Sequence, residues 1–287
     1  MALNGYRVGV VGATGAVGST ILKVLAERQF PAREVVPFAS ERSAGKKVDF
    51  AGSSLECRPL TPESIQGLDL VLASAGGKIS AEWAPKFVDA GAVVVDNTSY
   101  WRMHDDVPLI VAQVNDDAVE GHNGIIANPN CTTMQLMVAL KPIHDAARLE
   151  RLVVSTYQSV SGTGREAIKE LREESRAILD GKRAEPKVFP HQVAFNVLPQ
   201  VEQFLDGDDY TTEERKVMAE TRKILDLDES VGISSTCVRV PVVTGHSESV
   251  NVQTKRDLSP EDCRELLSES PGLVVLDDNQ VAVVAAQ

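Results

Sequence analysis

A glycine-spaced turn between an apolar run and a helical repeat constrains this chain more than any other stretch. Tyr6-Arg7-Val8-Gly9-Val10-Val11 is short and rich in β-branched residues, and it runs into Gly12-Ala13-Thr14-Gly15-Ala16-Val17-Gly18. Beyond the glycines, Val17, Ile21, Val24 and Leu25 recur at helical spacing. Strand, glycine turn and helix in that order let the backbone close on a pyrophosphate, which the positive end of the helix then holds. Gly12, Ala13, Thr14, Gly15, Ala16 and Val17 are therefore candidate dinucleotide contacts. Such a turn belongs after the first strand of a doubly wound parallel sheet, the Rossmann-type arrangement.

The rest of the first half keeps that rhythm. Glu34–Ala39, Asp69–Ala73, Ala92–Asp96 and Gly124–Ala127 are apolar strand-like runs, and a crossover helix is expected from Glu82 to Ala90. Continuously apolar strands alternating with helices predict a parallel sheet covered on both faces. Small polar residues follow the strands, Ser74-Ala75-Gly76 after one and Asn97 after another, where open α/β sheets bind ligands. After the second strand an acidic residue favours NAD and an arginine suits the extra phosphate of NADP. Ser40-Glu41-Arg42-Ser43 supplies both signs; Arg42 flanked by the Ser40 and Ser43 hydroxyls matches a 2′-phosphate clamp, so NADP is expected. The dinucleotide domain is expected over residues 1–127 and a second domain over residues 128–287.

Asn128-Pro129-Asn130-Cys131-Thr132-Thr133 joins the two. Gly124–Ala127 precedes it as a buried strand, while Met134, Met137, Val138 and Leu140 follow at helical spacing. Cys131 thus stands at or near a helix N-terminus, where unpaired amides and the helix dipole favour a thiolate. Turn-forming polar residues on both sides set it apart from a cysteine that fills a core. It is the candidate nucleophile.

Further on, a longer strand Glu150–Gln158, a charged helix from about Arg165 to Leu179 and a loop from Asp180 to His191 are expected. Thr211 and Glu214 have capping-box spacing at the start of another helix. Gly232–Thr244 and Ser247–Lys255 read as long strands of opposite direction around His246, followed by a helix Pro260–Leu267 and a strand Gly272–Leu276. The second domain is accordingly α+β, with a mixed, largely antiparallel sheet. Among five histidines, His246 is the one at a turn between strands, and a histidine paired with a cysteine nucleophile is the natural acid/base.

Charge and cysteine usage exclude several classes. A formal net charge of −12 argues against nucleic acid or an anionic membrane as partner. The four cysteines show no Cys-x-x-Cys pair and no histidine at metal spacing, so neither a disulfide framework nor a metal site is expected. Met1 to Gly5 leads directly into a strand with no leader-like pattern, and no apolar run approaches the ~20 residues of a membrane span. A cytoplasmic location is the expectation.

These motifs together carry a resemblance. Gly-Ala-Thr-Gly-Ala-Val-Gly, Ala39-Ser40-Glu41-Arg42-Ser43-Ala44-Gly45, Asp96-Asn97-Thr98-Ser99, Asn128-Pro129-Asn130-Cys131, Thr156–Gly162, Cys237-Val238-Arg239-Val240-Pro241 and Gly245-His246-Ser247 resemble bacterial aspartate-semialdehyde dehydrogenase, in the family's order and over nearly the whole chain. The resemblance implies Cys131 as the nucleophile of an acyl-enzyme, Gln158 as the residue orienting the acyl group and His246 as acid/base. It implies Arg239 as the grip on the substrate carboxylate and Glu213 as partner of its amino group. Arg102, Asn130 and Lys216 fall at the phosphate site, and Ser161 and Gly162 join the cofactor contacts. The implied reaction is NADPH-dependent reductive dephosphorylation of L-aspartyl 4-phosphate, by a homodimer acting on small molecules, in lysine, threonine and methionine biosynthesis. The resemblance also implies a further segment, a strand and a helix, beyond Val281–Gln287. N-acetyl-γ-glutamyl-phosphate reductase shares the acyl-phosphate chemistry, and a non-catalytic NADP-binding protein is the alternative of another class.

Overall fold

The structure, a computed structural model, describes residues 5–276, so Val281–Gln287 lie outside the described residues. It comprises two compact units: residues 1–110 with 117–129, and residues 111–116 with 130–287.

The first unit contains β1 (Tyr6–Val11), α1 (Ala16–Glu27), β2 (Ala32–Phe38), β3 (Lys47–Phe50), β4 (Ser53–Glu56), β5 (Leu70–Ala73), α2 (Gly77–Asp89), β6 (Val93–Asp96) and β7 (Ile125–Ala127). Five strands form one sheet in the order β2-β1-β5-β6-β7, every neighbouring pair parallel. Val8, Val10, Val71 and Val94 have no exposed surface, which is why these strands read as apolar throughout. Leu22 and Leu25, three apart on α1, bury the same helix face against that core. Connections run from β1 outward to β2 and then back past β1 to β5, so the chain switches direction at the β1/β5 boundary. That switch point, at the carboxyl ends of the strands, is where ligands enter doubly wound sheets.

Two local expectations need correction here. The helix expected from Glu82 begins at Gly77, behind Gly76 at φ +93°; two glycines at its start hide it from propensity. β3 and β4 form an antiparallel hairpin that the sequence reading lacks. Its turn uses Ala51 at φ +48° with Gly52 at φ +78°, and alanine is an unusual residue for that conformation.

The second unit contains α3 (Cys131–Ala147), β8 (Leu149–Gln158), α4 (Arg165–Leu179), α5 (Thr212–Leu225), β9 (Gly232–Arg239), β10 (Ser247–Thr254) and α6 (Pro260–Glu269). Its sheet is mixed, in the order β10-β8-β9. β9 and β10 run in opposite directions as expected, yet they do not pair with each other. β8 lies between them, parallel to β9 and antiparallel to β10. β9 also stops at Arg239, ahead of Pro241, whose missing N–H cannot extend the ladder. Gly272–Leu276 forms no strand among the described residues, and Val274 there is 83 % exposed.

The capping box at α5 is formed, with the Thr211 N–H donating to Glu214 Oε2 at 2.7 Å and the Glu214 N–H to Thr211 Oγ1 at 3.3 Å. Glu214 Oε1 in addition accepts the Cys237 N–H at 2.9 Å, tying α5 to β9. The long loop after α4 is held by two buried carboxylates. Glu170 accepts main-chain N–H groups of Lys187, Val188 and Phe189, and Glu174 those of Val193 and Ala194. Each carboxylate replaces the ladder that this stretch lacks.

Candidate active site

Register places three residues at one end of the second unit's sheet. Gln158 is the last residue of β8 and pairs with Arg239, the last of β9, while Tyr157 pairs with Ser247, the first of β10. His246 immediately precedes that pair. Cys131 is the first residue of α3, capped by Asn130, whose side chain accepts the Thr132 N–H at 2.9 Å. Cys131 is exposed, and its Sγ lies 3.1 Å from His246 Nε2.

The imidazole is oriented from behind. The Ser159 N–H donates to His246 Nδ1 at 3.0 Å, so Nδ1 is an acceptor and the neutral ring carries its proton on Nε2, facing the sulfur. Burial, together with the Arg239 cation, pushes the His246 pKa below its ordinary value, and Glu213 opposes that shift. With Nδ1 accepting, the neutral ring is a donor poised toward sulfur.

Around this pair lies a buried polar network. Glu213 Oε1 accepts Gln158 Nε2 at 2.8 Å and Asn130 Nδ2 at 2.9 Å, and its Oε2 meets Lys216 Nζ at 3.5 Å. Lys216 also pairs with Glu202. Arg239, 7 % exposed, donates from Nη1 to the Ser159 carbonyl at 2.6 Å and sits over the Phe189 ring. Burial lowers the Arg239 pKa from its ordinary value, opposed chiefly by Glu213. Gly162 borders both, since a Cβ there would stand 3.6 Å from His246 and 3.7 Å from Arg239. Ser161 joins the same corner through its N–H to the Val243 carbonyl. A soft nucleophile, a proton donor and a buried guanidinium at one sheet end suit acyl transfer to sulfur from an anionic substrate.

The first unit holds the remaining expected residues. Gly12 has φ +85°, and the N–H groups of Gly12 and Ala13 both donate to the Phe38 carbonyl. Gly15 stands at the N-cap of α1 with no side-chain cap, and the first turn of α1 carries no acidic residue. A Cβ on Gly18 would fall 2.2 Å from the Gly12 carbonyl oxygen, so the helix meets the turn backbone to backbone. Beside this turn is a cleft of about 330 Å³ lined by Gly12, Ala39, Ser40, Glu41, Ala75 and Trp83, among others. Arg42 and Ser43 follow in a single 3₁₀ turn, Arg42 exposed and without an ion pair among the described residues. Glu41 lines the cleft itself rather than standing clear of it. Ser74, Gly76 and Asn97 stand beyond the carboxyl ends of β5 and β6, with Asn97 N–H donating to the Ala73 carbonyl at 2.8 Å. A Cβ on Gly12 or Gly15 would likewise meet backbone at 3.2 Å, so the three glycines let the turn close tightly at the uncapped N-terminus of α1, the arrangement that fits a dinucleotide pyrophosphate. Arg102 is buried in this unit and donates to the carbonyls of Asn128 and Asn97 at 2.9 and 3.1 Å.

Residues 7–122 match the family model described as semialdehyde dehydrogenase, NAD binding domain, and residues 140–286 the one described as semialdehyde dehydrogenase, dimerisation domain. The aspartate-semialdehyde dehydrogenase of Aquifex aeolicus is 53 % identical over 281 residues, covering 96 % of this chain and 82 % of that protein. The chain belongs to the aspartate-semialdehyde dehydrogenase family. Among solved structures, aspartate semialdehyde dehydrogenase II of Vibrio cholerae, complexed with ASA, superposes with a TM-score of 0.89 at 45 % identity, over 93 % of this chain and 80 % of that one. The family's enzyme from Candida albicans with NADP superposes at 0.69 and 25 % identity, over 92 % and 76 %.

Sequence reasoning does not single out Ser159, Glu202 or Glu220, although each touches a residue of this candidate site. Ser159 acts on His246 chiefly through its main-chain N–H at 3.0 Å, with its Oγ at 3.4 Å, and a main-chain donor leaves no signal in residue type. Glu220 lies seven residues, two helical turns, beyond Glu213, and that spacing was the available clue.

Glu248 borders the site on β10. Gln135 Nε2, one turn into α3, donates to Glu248 Oε1 at 2.8 Å and reaches the His246 carbonyl at 3.4 Å. Burial pushes the Glu248 pKa up to about 7. A carboxyl raised above its unfolded value destabilises the fold progressively as pH rises from about 4.5 through 7. Glu248→Gln should therefore match the parent near pH 4.5 and exceed it by up to about 3 kcal/mol at pH 8. Urea unfolding of both chains at the two pH values checks this; a difference independent of pH would remove the burial account.

Proposed function

We propose that this chain catalyses the NADPH-dependent reductive dephosphorylation of L-aspartyl 4-phosphate to L-aspartate 4-semialdehyde and phosphate. The contact of Cys131 Sγ with His246 Nε2 at 3.1 Å, on the first residue of α3, carries the reading. The names of the relatives support the substrate, and the glycine cradle supports the cofactor.

Cys131 Sγ attacks the acyl carbon as the thiolate; a C–S bond forms, the C–O bond to phosphate breaks and inorganic phosphate leaves. Sulfur is suited to this because a thioester accepts hydride where a carboxylate does not. NADPH, held at Gly12, Ala13, Thr14, Gly15, Ala16 and Val17 with Ser40, Arg42 and Ser43 at its 2′-phosphate and Ser74, Ala75, Gly76, Asn97, Ser161 and Gly162 lining the remainder, supplies that hydride when bound. The C–S bond then breaks, the aldehyde leaves and Sγ returns as thiolate. His246 Nε2–H donates to the charge that develops on sulfur and substrate oxygen. Gln158, held by Glu213 and Thr156, orients the acyl group. Arg239 grips the α-carboxylate through its planar fork, Glu213 meets the ammonium group, and Arg102, Asn130 and Lys216 serve the phosphate. The dimerisation-domain match supports a homodimer. Four free cysteines support a reducing, cytoplasmic setting, and no helix among the described residues is long and apolar enough to cross a membrane.

The test runs the reaction backwards, with L-aspartate 4-semialdehyde, phosphate and NADP, following absorbance of the reduced cofactor. Phosphate-dependent reduction of NADP is expected. Turnover of N-acetyl-L-glutamate 5-semialdehyde in its place, or NADP binding without reduction, would overturn the assignment.

A further inference from the structure

Glu220 is 1 % exposed, and its Oε2 accepts the main-chain N–H of Asn130 at 2.6 Å. Asn130 caps α3 and Cys131 is the residue that follows. A buried carboxylate is costly unless donors meet its oxygens. Here one of those donors is the Pro129–Asn130 peptide, one residue ahead of the nucleophile. Glu213, from the same face of α5, takes the Asn130 side chain, so two carboxylates hold one residue by different atoms.

The charge matters as well as the bond. A helix N-terminus stabilises a thiolate, and a negative charge fixed at that same end works against ionisation. We propose that Glu220 is a positioning residue for Cys131, fixing the Pro129–Asn130 peptide at the cap before it and, through its carboxylate charge, restraining ionisation of the thiol. The inference rests on the reading of Cys131 as nucleophile. Other titratable or charged groups around the sulfur are His246 and Glu248 on the β10 side, Arg239 at the end of β9, and Glu213 and Lys216 on α5, with Glu202 paired to Lys216. All of these remain in a Glu220 variant.

The experiment measures iodoacetamide alkylation of the full chain against pH for the parent, Glu220→Gln and Glu220→Ala. Each curve is corrected with the matching Cys131→Ser chain, because Cys263 is also partly exposed. Glu220→Gln keeps an oxygen for the Asn130 N–H and loses the charge. Its alkylation midpoint should fall by about half a unit to one unit. Glu220→Ala should show the same shift and, having lost the acceptor, a kcat about tenfold lower with KM within twofold; Glu220→Gln should restore most of that kcat. A parent-like midpoint in Glu220→Gln overturns the proposal, whether or not the alanine variant folds. A shifted midpoint in a chain that does not turn over aspartate semialdehyde would sustain this inference while removing the functional assignment, and the converse pairing would do the opposite.

Discussion

Cys131→Ser should lower kcat/KM for aspartate semialdehyde, phosphate and NADP by at least about a thousandfold, about 4 kcal/mol in the barrier. The change removes one sulfur and leaves α3 its cap, since Asn130 and Thr132 bond to each other without the residue between. It also leaves the first unit untouched, so NADP affinity, followed by quenching of protein fluorescence, should stay within about twofold of the parent. The size of the loss follows from the chemistry. A serine hydroxyl does not ionise near neutrality, and His246 offers it little help as a base. Its Nδ1 accepts from the Ser159 N–H and its proton sits on Nε2, toward the nucleophile. A ring so arranged stabilises an anion that already exists, which suits a thiol and not an alcohol. A serine variant that retained a tenth of the parent's activity would show that Cys131 is not the nucleophile. The same loss with NADP affinity unchanged would confine the defect to the second unit.

Local chemistry was legible in the sequence and long-range pairing was not. The turn at Gly12, Gly15 and Gly18, the start of α3 at Cys131, the span Arg165–Leu179 and the Thr211–Glu214 cap were each readable because the signal lies within a few residues. The position of β8 between β9 and β10 was hidden, because strands on either side of a third are indistinguishable, by alternation alone, from strands that pair. The β3–β4 hairpin escaped notice because Ala51 occupies a conformation that glycine or asparagine usually advertises. At the site, residue types suited to the chemistry were readable, whereas the groups that orient them were not. Ser159 contributes an N–H that every residue but proline has. Glu220 is a carboxylate on a charged helix until the fold buries it. The Phe189 ring over Arg239 arrives on a loop that Glu170 and Glu174 hold from a distance of about twenty residues.

Gly18→Ala should be the most damaging single methyl group in the first unit. Its Cβ would lie 2.2 Å from the Gly12 carbonyl oxygen, 2.7 Å from the Gly12 carbonyl carbon and 2.8 Å from the Ala13 Cα. All three are backbone atoms, so no side chain can swing aside. The carbonyl in question also accepts the Gly15 N–H at 2.9 Å, and the Gly12 and Ala13 N–H groups are fixed on Phe38. Relief therefore requires α1 to draw back from the turn by about an ångström, which separates Leu22 and Leu25 from the Val8 and Val10 side of the sheet. Overpacking of this kind costs about 1–3 kcal/mol in side-chain cores and more where only backbone can yield. The turn opens at the same time, so NADP affinity should fall at least about a hundredfold. Calorimetry of the variant, with NADP titrated into whatever fraction remains folded, measures both effects. Gly121→Ala provides the comparison, since its Cβ would meet nothing within 4 Å, and it should leave both quantities unchanged. A Gly18→Ala chain that binds NADP as the parent does would mean that α1 does not press on the turn, and that the cradle is not what holds the pyrophosphate.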